Sequence, residues 1–246
     1  MNKLEGKVAV VTGASHGIGR AIAERLARDG AAVVINYSSR EAEAASIVSE
    51  IEAAGGKALA VQADVTKRDD ITRLFAEADR AFGRLDILVN NAGVGAMGPL
   101  DEVDEATWDR VFALNAKAPL FVTQEAARRM GEGGRIVNVS STTTYFPLPG
   151  TSVYAASKAV PRIYTEVLAR ELGPKGITVN SVVPGPTIPG MFENAPEVHK
   201  VSAAAQSPFN RIGTPDDIAS VVSFLASQDA GWVTGQHIVA NGGATI

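Results

Sequence analysis

Seven short runs of apolar residues recur along the chain, and each run ends near a Gly, Asn or Asp. Contiguous rather than alternating apolar positions are typical of strands that are buried on both faces. The runs are KVAVVTG, AAVVIN, ALAVQADV, LDILVNNAG, GRIVNVSS, GITVNSVVPG and QHIVANGG. Between them lie amphipathic stretches, in which apolar residues return at the spacing of one helix face. The predicted helices include IGRAIAERLARDG, REAEAASIVSEIEAAGG, KRDDITRLFAEADRAFG, EATWDRVFALNAKAPLFVTQEAARRM and TPDDIASVVSFLASQ.

The regular alternation of strands and helices indicates parallel strand pairing with right-handed crossovers. We therefore predict an α/β protein: a single-domain doubly wound Rossmann fold with a mostly parallel sheet of about seven strands and helices on both faces. No linker, repeat or low-complexity run divides the chain, so the predicted domain spans residues 1–246. One long irregular segment runs from about Pro184 to Gly213, and we expect a lid-like substrate loop over about 186–212.

Composition narrows the possible functions. The formal net charge of −4 and the lack of any basic tract argue against a general nucleic-acid surface. The chain contains no cysteine, which excludes disulfides, thiolate zinc sites and thiol catalysis. No apolar run approaches the length of a membrane span, and the first residues lack the apolar core of a signal peptide. We expect a cytoplasmic protein that uses no metal.

The stretch VTGASHGIGRAIA follows the first predicted strand and opens the first helix. In such a loop, Gly13 provides the tight turn, Gly17 admits a pyrophosphate close to the backbone, and Gly19 permits close helix packing. The phosphates then lie at the helix N-terminus. A glycine loop alone is weak support, since any tight strand–helix turn favours glycine. The intervening residues Ser15, His16 and Ile18 belong to the same predicted cofactor loop.

Cofactor choice depends on the end of the second strand, where an NAD site usually has an acidic residue for the ribose 2′-hydroxyl. Here the sequence is Asn36, Tyr37, Ser38, Ser39, Arg40, with no acid before Glu41. A 2′-phosphate is attracted by Arg40 and accepts hydrogen bonds from the serines. The prediction is NADP(H) over NAD(H), with Asn36, Tyr37, Ser38 and Arg40 as contacts. The alternative is that Arg40 is only a solvated residue at the start of a helix.

The segment VYAASKAVP places Tyr154 four residues before Lys158, about one helical turn, so both side chains share a helix face. A nearby ammonium stabilises a phenolate and lowers the tyrosine pKa, which makes tyrosine a usable acid at neutral pH. Taken alone, the two residues are as well explained as an ordinary surface pair.

Together, TGASHGIG, NNAG at 90–93, Asn115, Ser141 and YAASK at 154–158 resemble the motifs of the short-chain dehydrogenase/reductase family. The resemblance extends over essentially the whole chain, and the pattern is similar to 3-oxoacyl-(acyl-carrier-protein) reductases and generic carbonyl reductases. It implies a catalytic tetrad of Asn115, Ser141, Tyr154 and Lys158. In this family the lysine also bonds the nicotinamide ribose, the serine hydroxyl bonds the substrate oxygen, and the asparagine backbone helps to hold a water.

The resemblance also implies further cofactor contacts. Asp64 and Val65 match residues at the adenine edge, and Pro184, Gly185 and Thr187 match the loop beside the nicotinamide. A third group, over the adenosine ribose, comprises Asn90, Asn91, Ala92 and Gly93. Relatives are usually homotetramers, so we expect one here, with the C-terminal strand near one interface.

The predicted function is NADP(H)-dependent hydride transfer to or from a carbonyl or secondary alcohol. The substrate is either a 3-oxoacyl thioester or a generic ketone or aldehyde; for a carrier-protein substrate, Arg128, Arg129 and Lys175 are candidate basic residues near the site mouth. The alternative is a dinucleotide-sensing binding protein without turnover, although sensors usually lose the tyrosine or lysine.

Two prolines depart from the family pattern. Pro189 replaces a threonine that many relatives keep, which removes a hydroxyl on the pyrophosphate side. Pro161 cannot donate a backbone hydrogen bond to the Ser157 carbonyl, and a proline in a helix interior costs about 3 kcal/mol. We predict a helix kink just after Lys158.

Overall fold

In a computed structural model that describes residues 3–244, one seven-stranded sheet forms the centre of the protein. All its strand pairs are parallel, and the strand order is 3-2-1-4-5-6-7. The strands are β1 (Val8–Val11), β2 (Ala32–Tyr37), β3 (Lys57–Gln62), β4 (Ile87–Asn90), β5 (Arg135–Val139), β6 (Thr178–Pro184) and β7 (His237–Ala240). The predicted single-domain doubly wound fold is confirmed.

Helices cover both faces of the sheet. They are α1 (Gly17–Arg28), α2 (Glu41–Ala53), α3 (Arg68–Phe82), α4 (Glu105–Phe112), α5 (Ala118–Ala127), α6 (Ser152–Leu172), α7 (Glu197–Gln206) and α8 (Pro215–Ala226). The apolar residues of α1, α2 and α8 form one core cluster, and those of α3 and α5 form the other. Neighbouring strand residues alternate between the two: Val11 lies in the first cluster and Val10 in the second. Both faces of β1 are therefore buried, which explains its contiguous apolar sequence.

The observed helices differ from the predicted ones between α4 and α5. A π-helical turn, Ala113–Lys117, separates α4 from α5, where the sequence predicted one uninterrupted helix. The N–H of Ala118 bonds the carbonyl of Ala113, five residues back. Pro119 has no N–H to give to the Asn115 carbonyl, which a regular α-helix requires.

Two predictions about the second half of the chain have different outcomes. The segment predicted as irregular contains a helix, α7, whose sequence EVHKVSAAAQ is rich in alanine and has good helix propensity. The helix α6 runs from Ser152 to Leu172 without interruption, and Pro161 lies inside it. The kink after Lys158 stays a prediction, as do the exact domain limits, whose outermost residues lie outside the described ones.

The sheet topology determines where a ligand can bind. Because all strands are parallel, their carboxyl ends lie at one edge of the sheet, and the chain order reverses between β1 and β4. In open sheets of this kind, ligands bind in the crevice at that reversal. Within residues 3–244, none of the helices has both the length and the apolar character needed to cross a bilayer.

Candidate active site

The predicted site residues lie where the strands end. The glycine loop follows β1, Asn36 to Arg40 end or follow β2, and Asp64 and Val65 follow β3. Asn91 to Gly93 follow β4, Ser141 follows β5, and Gly185 to Thr187 follow β6. Tyr154 and Lys158 lie in the first turns of α6. The topology therefore collects residues from seven separate stretches at one edge of the sheet.

The glycine loop has the backbone geometry that only glycine adopts readily. Gly13 and Gly17 have φ of 60° and 54°. A Cβ at Gly13 would lie 2.9 Å from Ala92 Cα, and one at Gly19 would lie 2.4 Å from Asn91 Nδ2. Asn91 bonds the carbonyls of Thr12 and Gly13 at 2.9 and 3.0 Å, so the segment after β4 supports the loop.

The N-terminus of α1 suits an anion. Its N-cap residue His16 makes no capping bond with its side chain, and the first turn carries no acidic residue. The first N–H groups of the helix therefore lack the side-chain acceptor that usually satisfies them, and the positive end of the helix dipole reinforces them. The cradle fits the pyrophosphate of a dinucleotide.

At the end of β2 the predicted contacts divide into two groups. Asn36 is buried: its Oδ1 accepts from the N–H of Gly13 at 3.2 Å, and its Nδ2 donates to the Ala63 carbonyl at 2.9 Å. The Asn36 side chain therefore connects the glycine loop to the residue that follows β3. Ser38 and Arg40 are exposed, and Arg40 forms an ion pair with Glu43 at 3.4 Å. Burial and the nearby Arg40 charge lower the pKa of His16, so His16 and Arg40 lie near one another.

The remaining cofactor candidates frame the crevice. Val65 is buried, and Asp64 Oδ1 accepts from the N–H and the hydroxyl of Thr66 at 3.0 and 2.7 Å. On the other side, Thr187 is buried and its hydroxyl donates to the Gly185 carbonyl at 3.0 Å. A Cβ at Gly17 would lie 3.4 Å from the Pro189 carbonyl oxygen, so the segment after Thr187 reaches the glycine loop.

Tyr154 and Ser141 form the reactive pair. Burial raises the pKa of the Tyr154 phenol, and a hydrogen bond with the Ser141 hydroxyl partly opposes that rise. The lowered pKa expected from the Lys158 charge is therefore wrong in direction, because removing water disfavours the phenolate more than its neighbours stabilise it. Thr143 donates to Ser141 Oγ from its hydroxyl at 2.9 Å and from its N–H at 3.3 Å. Because Thr143 is the donor in both bonds, the Ser141 proton is left for the hydrogen bond with the Tyr154 oxygen.

Lys158 is a buried cation. Its side chain donates to the Val139 carbonyl at 3.1 Å, and burial lowers its pKa to about 8. A Cβ at Gly93 would lie 2.9 Å from Lys158 Nζ and 3.2 Å from Asn115 Oδ1. A larger residue at position 93 would therefore displace the Lys158 ammonium from its present place.

Asn115 joins three elements around this cation. Its Oδ1 accepts from the N–H of Val94 at 2.8 Å, and its Nδ2 donates to the Val94 carbonyl at 2.9 Å and to Ser157 Oγ at 3.0 Å. Ser157 donates in turn to the Tyr154 carbonyl at 2.8 Å. The tetrad therefore lies together, connected through Ser157 and Val94. Sequence reasoning missed Ser157, Val94 and Thr143, although Ser157 lies inside the quoted YAASK motif.

The mouth of the cleft carries exposed apolar side chains. The loops after β4 and β5 are joined by a bond from the Gly98 N–H to the Gly150 carbonyl at 3.0 Å. A Cβ at Gly95 would lie 3.7 Å from Met191 Sδ, so the lid approaches the same place. The exposed apolar residues of these three segments include Met97, Tyr145, Phe146, Leu148 and Met191.

The basic residues expected near the mouth lie elsewhere, so that expectation is wrong. Arg128 and Arg129 follow α5, and Lys175 follows α6. Helices run back between parallel strands, so their C-terminal ends lie at the opposite edge of the sheet. Arg129 is also paired there with Asp79 at 2.8 Å and Glu125 at 2.6 Å.

Comparisons with known proteins agree with this geometry. A family model described as enoyl-(acyl carrier protein) reductase matches residues 13–245. An oxidoreductase of Methylorubrum extorquens is 50% identical over 246 residues, which cover 99% of each chain. A short-chain dehydrogenase of Burkholderia cenocepacia, solved in complex with NADP, has a TM-score of 0.95 at 42% identity and covers 100% of both chains. The landomycin C-6 ketoreductase LanV, solved with NADP and rabelomycin, has a TM-score of 0.91 at 43% identity, covering 99% of this chain and 98% of its own.

Proposed function

The chain belongs to the short-chain dehydrogenase/reductase family, and from that premise we propose that it is an NADP(H)-dependent reductase of ketones. The observation that carries the proposal is the half-buried Tyr154, hydrogen-bonded to Ser141 and one helical turn from the buried Lys158. The nicotinamide supplies or accepts the hydride when it is bound.

Each tetrad residue has one task in this proposal. Tyr154 donates a proton to the oxygen of the ketone, and its raised pKa keeps it protonated at neutral pH. Ser141 donates a hydrogen bond to the same oxygen, because Thr143 is the donor in both of its bonds with Ser141. Lys158 stabilises the phenolate that remains, and Asn115 links α6, through Ser157, to the loop after β4, through Val94.

The cofactor contacts support NADP(H) over NAD(H). Arg40 is exposed beside His16, and no acidic residue precedes Glu41 at the end of β2. Arg40 and Ser38 are the proposed partners of the 2′-phosphate, and the N-terminus of α1 holds the pyrophosphate. Asp64, Val65, Ala92 and Thr187 line the rest of the proposed dinucleotide site.

The apolar mouth supports a ketone over an acyl thioester on an acidic carrier protein. The basic residues predicted to bind such a carrier, Arg128, Arg129 and Lys175, lie at the other edge of the sheet. The solved relative LanV is named as a ketoreductase, and one of its structures contains rabelomycin beside NADP. We assign the same reaction class, ketone reduction, to this chain.

We also propose a cytoplasmic homotetramer. Ile163 and Val167 are exposed on α6, and Val239 is exposed on the edge strand β7, which has a neighbour on one side only. Exposed apolar side chains and an open strand edge are typical of surfaces covered by another subunit. Light scattering of the purified protein measures the assembly directly.

The test is NADPH oxidation against a panel of ketones with the wild type and Tyr154→Phe. We expect Tyr154→Phe to lower kcat by about 10²- to 10⁴-fold, the usual contribution of a general acid, and to leave NADPH affinity unchanged. Because the pKa of Lys158 is about 8, the wild-type kcat is expected to fall as the pH rises through that value. NADPH binding without turnover of any ketone would favour the sensor instead.

A further inference from the structure

A short turn connects Ser141 to two aromatic rings. The 3₁₀ turn Thr142–Thr144 follows Ser141 directly, and Tyr145 and Phe146 come next. The two side chains are 39% and 37% exposed, and their ring centroids lie 6.3 Å apart. We call this pair the aromatic wall. Its position depends on the same turn that positions the Ser141 hydroxyl.

Arg162 connects this turn to the helix that carries Tyr154 and Lys158. It lies one helical turn after Lys158 on α6. Its guanidinium carbon lies 4.0 Å from the centroid of the Tyr145 ring, and its Nη1 donates to the Thr144 carbonyl at 3.5 Å. A guanidinium over a tyrosine face is an attractive contact that strengthens when water is excluded.

Within residues 3–244 no carboxylate forms an ion pair with this guanidinium, although the pKa of Glu166 is lowered by its hydrogen bond with His237 and also by the Arg162 charge. Glu166, one turn further along α6, is hydrogen-bonded to His237 Nε2 at 2.9 Å instead. The Nε of Arg162 is buried and has no hydrogen-bond partner among the described residues. A buried donor without a partner costs free energy. The Tyr145 ring and the Thr144 carbonyl are the contacts that hold this side chain in place.

We propose that Arg162 is a positioning residue that acts through Tyr145, and that the wall it fixes selects aryl-fused ring ketones. The inference rests on the proposed ketone reductase function and names the substrate class of that site. Arg162 holds one face of the Tyr145 ring, so the wall keeps a fixed orientation beside Ser141. A planar aromatic ring stacks on such a wall, whereas a small saturated ring gains little from it.

The rest of the mouth agrees with a flat apolar ligand. Met97, Leu148 and Met191 are 73%, 61% and 59% exposed, and they lie on three segments that contact one another through the Gly98–Gly150 bond and the approach of Met191 to Gly95. None of these side chains offers a charge or a strong hydrogen-bond donor. Recognition of the substrate outside its carbonyl group therefore depends on apolar and aromatic contact.

The experiment compares 2-tetralone with cyclohexanone, two ring ketones that differ by one fused benzene ring. The variants are Arg162→Met, which removes the charge, Arg162→Lys, which keeps it, and Tyr145→Leu, which removes the ring. Arg170→Met is the matched control, because Arg170 is an exposed arginine two turns further along α6. We measure kcat and KM with NADPH, the Kd of 2-tetralone for the NADP⁺-loaded protein, and the melting temperature.

We expect Arg162→Met and Tyr145→Leu to raise KM for 2-tetralone about tenfold, which corresponds to about 1.4 kcal/mol and lies between the exposed and the desolvated values of a cation–π contact. KM for cyclohexanone stays within about twofold, kcat changes little, and Arg162→Lys recovers part of the loss. Equal increases for both ketones, or increases that only follow a lower melting temperature, would overturn the inference.

The binding measurement separates this inference from the proposed function. If the wild type reduces neither ketone, the reductase proposal fails for this class, and the Kd of 2-tetralone still decides the role of Arg162. A Kd raised about tenfold in Arg162→Met supports it, and an unchanged Kd rejects it. Arg162→Lys and Tyr145→Leu give the same decision if Arg162→Met does not fold.

Discussion

The helices α1 and α8 pack side by side against one face of the sheet, yet their N-termini are built in opposite ways. The N-terminus of α8 is closed by its own side chains: Thr214 accepts from the N–H of Asp217, and Asp217 accepts from the N–H of Thr214 at 2.7 Å. The N-terminus of α1 has no capping bond from His16. The first turn of α8 is acidic and that of α1 is not.

The difference shows how one chain separates stability from binding. A capped N-terminus has its N–H groups satisfied and contributes to the folded state in every condition. An uncapped one forgoes that stability, and its N–H groups stay available to an anion. Asp217 also accepts two bonds from Arg211, at 2.7 and 2.9 Å, so the guanidinium fixes the carboxylate that caps α8.

The largest effect on stability and NADPH binding is expected when a side-chain atom is added to the glycine loop at the start of α1. In Gly19→Ala, the new Cβ would lie 2.4 Å from the Gly13 carbonyl oxygen, so the loop must shift. We expect a loss of about 1–3 kcal/mol in the free energy of unfolding. NADPH affinity should fall at least about tenfold, which corresponds to roughly 1.4 kcal/mol. The control is Gly131→Ala, where nothing lies within 4 Å; equal effects at both glycines would contradict the prediction.

The second prediction removes the cap of α8. Thr214→Ala should lower the free energy of unfolding by about 1 kcal/mol, the usual value for an N-cap, without changing NADPH affinity. His16→Ala, the same position of α1, has no capping bond to lose, so its unfolding free energy should stay within about 0.5 kcal/mol. Chemical denaturation measures both. A stability loss in His16→Ala as large as that in Thr214→Ala would remove the contrast.

The third prediction concerns acid stability. Bonds from Arg211 lead the effects that hold the pKa of Asp217 below its usual value. A carboxylate whose pKa is lower in the folded than in the unfolded protein adds to the free energy of unfolding above the unfolded-state pKa of about 4. This contribution is lost as the pH falls further. The melting temperature of the wild type should therefore fall below that pH more steeply than that of Asp217→Asn. Parallel curves for the two proteins would argue against a role for this carboxylate.

The smallest expected effect is at His16. Burial, followed by the Arg40 charge, lowers the pKa of His16, so the free imidazole is neutral near neutral pH. A 2′-phosphate nearby raises that pKa again, so NADPH binding takes up a proton as the pH falls below about 6.5. We expect NADPH affinity to rise up to about tenfold on acidification and NADH affinity to rise less, because NADH has the pyrophosphate at the α1 N-terminus but no 2′-phosphate. His16→Gln should remove the slope; the same slope for both dinucleotides would place the phosphate elsewhere.

Local patterns in the sequence were sufficient to predict the sheet and most of the site. Contiguous apolar runs predicted all seven strands, and the amphipathic stretch TPDDIASVVSFLASQ predicted α8. The spacing of Tyr154 and Lys158 predicted a shared helix face, and α6 begins just before them. These features depend on neighbours in the chain, which the sequence displays directly.

The features that sequence did not reveal depend on distant contacts. Asn115 lies in the π-helical turn, and its side chain bonds the backbone of Val94 in the loop after β4. The direction of the Tyr154 pKa depends on burial, which no spacing reports. Arg162 and Tyr145 lie on different elements, and only the fold brings them together. By contrast, the sequence alone could have excluded the expectation that Arg128 lies near the site mouth, since a helix that follows a parallel strand ends at the opposite edge of the sheet.

The segment after Thr187 has a kinetic consequence. Pro189 lies against Gly17 of the glycine loop, and Met191, two residues later, reaches the cleft mouth beside Gly95. A single short stretch thus covers the dinucleotide cradle at one end and the ketone entrance at the other. A dinucleotide that enters beneath this stretch sets the shape of the entrance before a ketone arrives. We therefore expect a compulsory order of arrival, in which the dinucleotide binds first and leaves last.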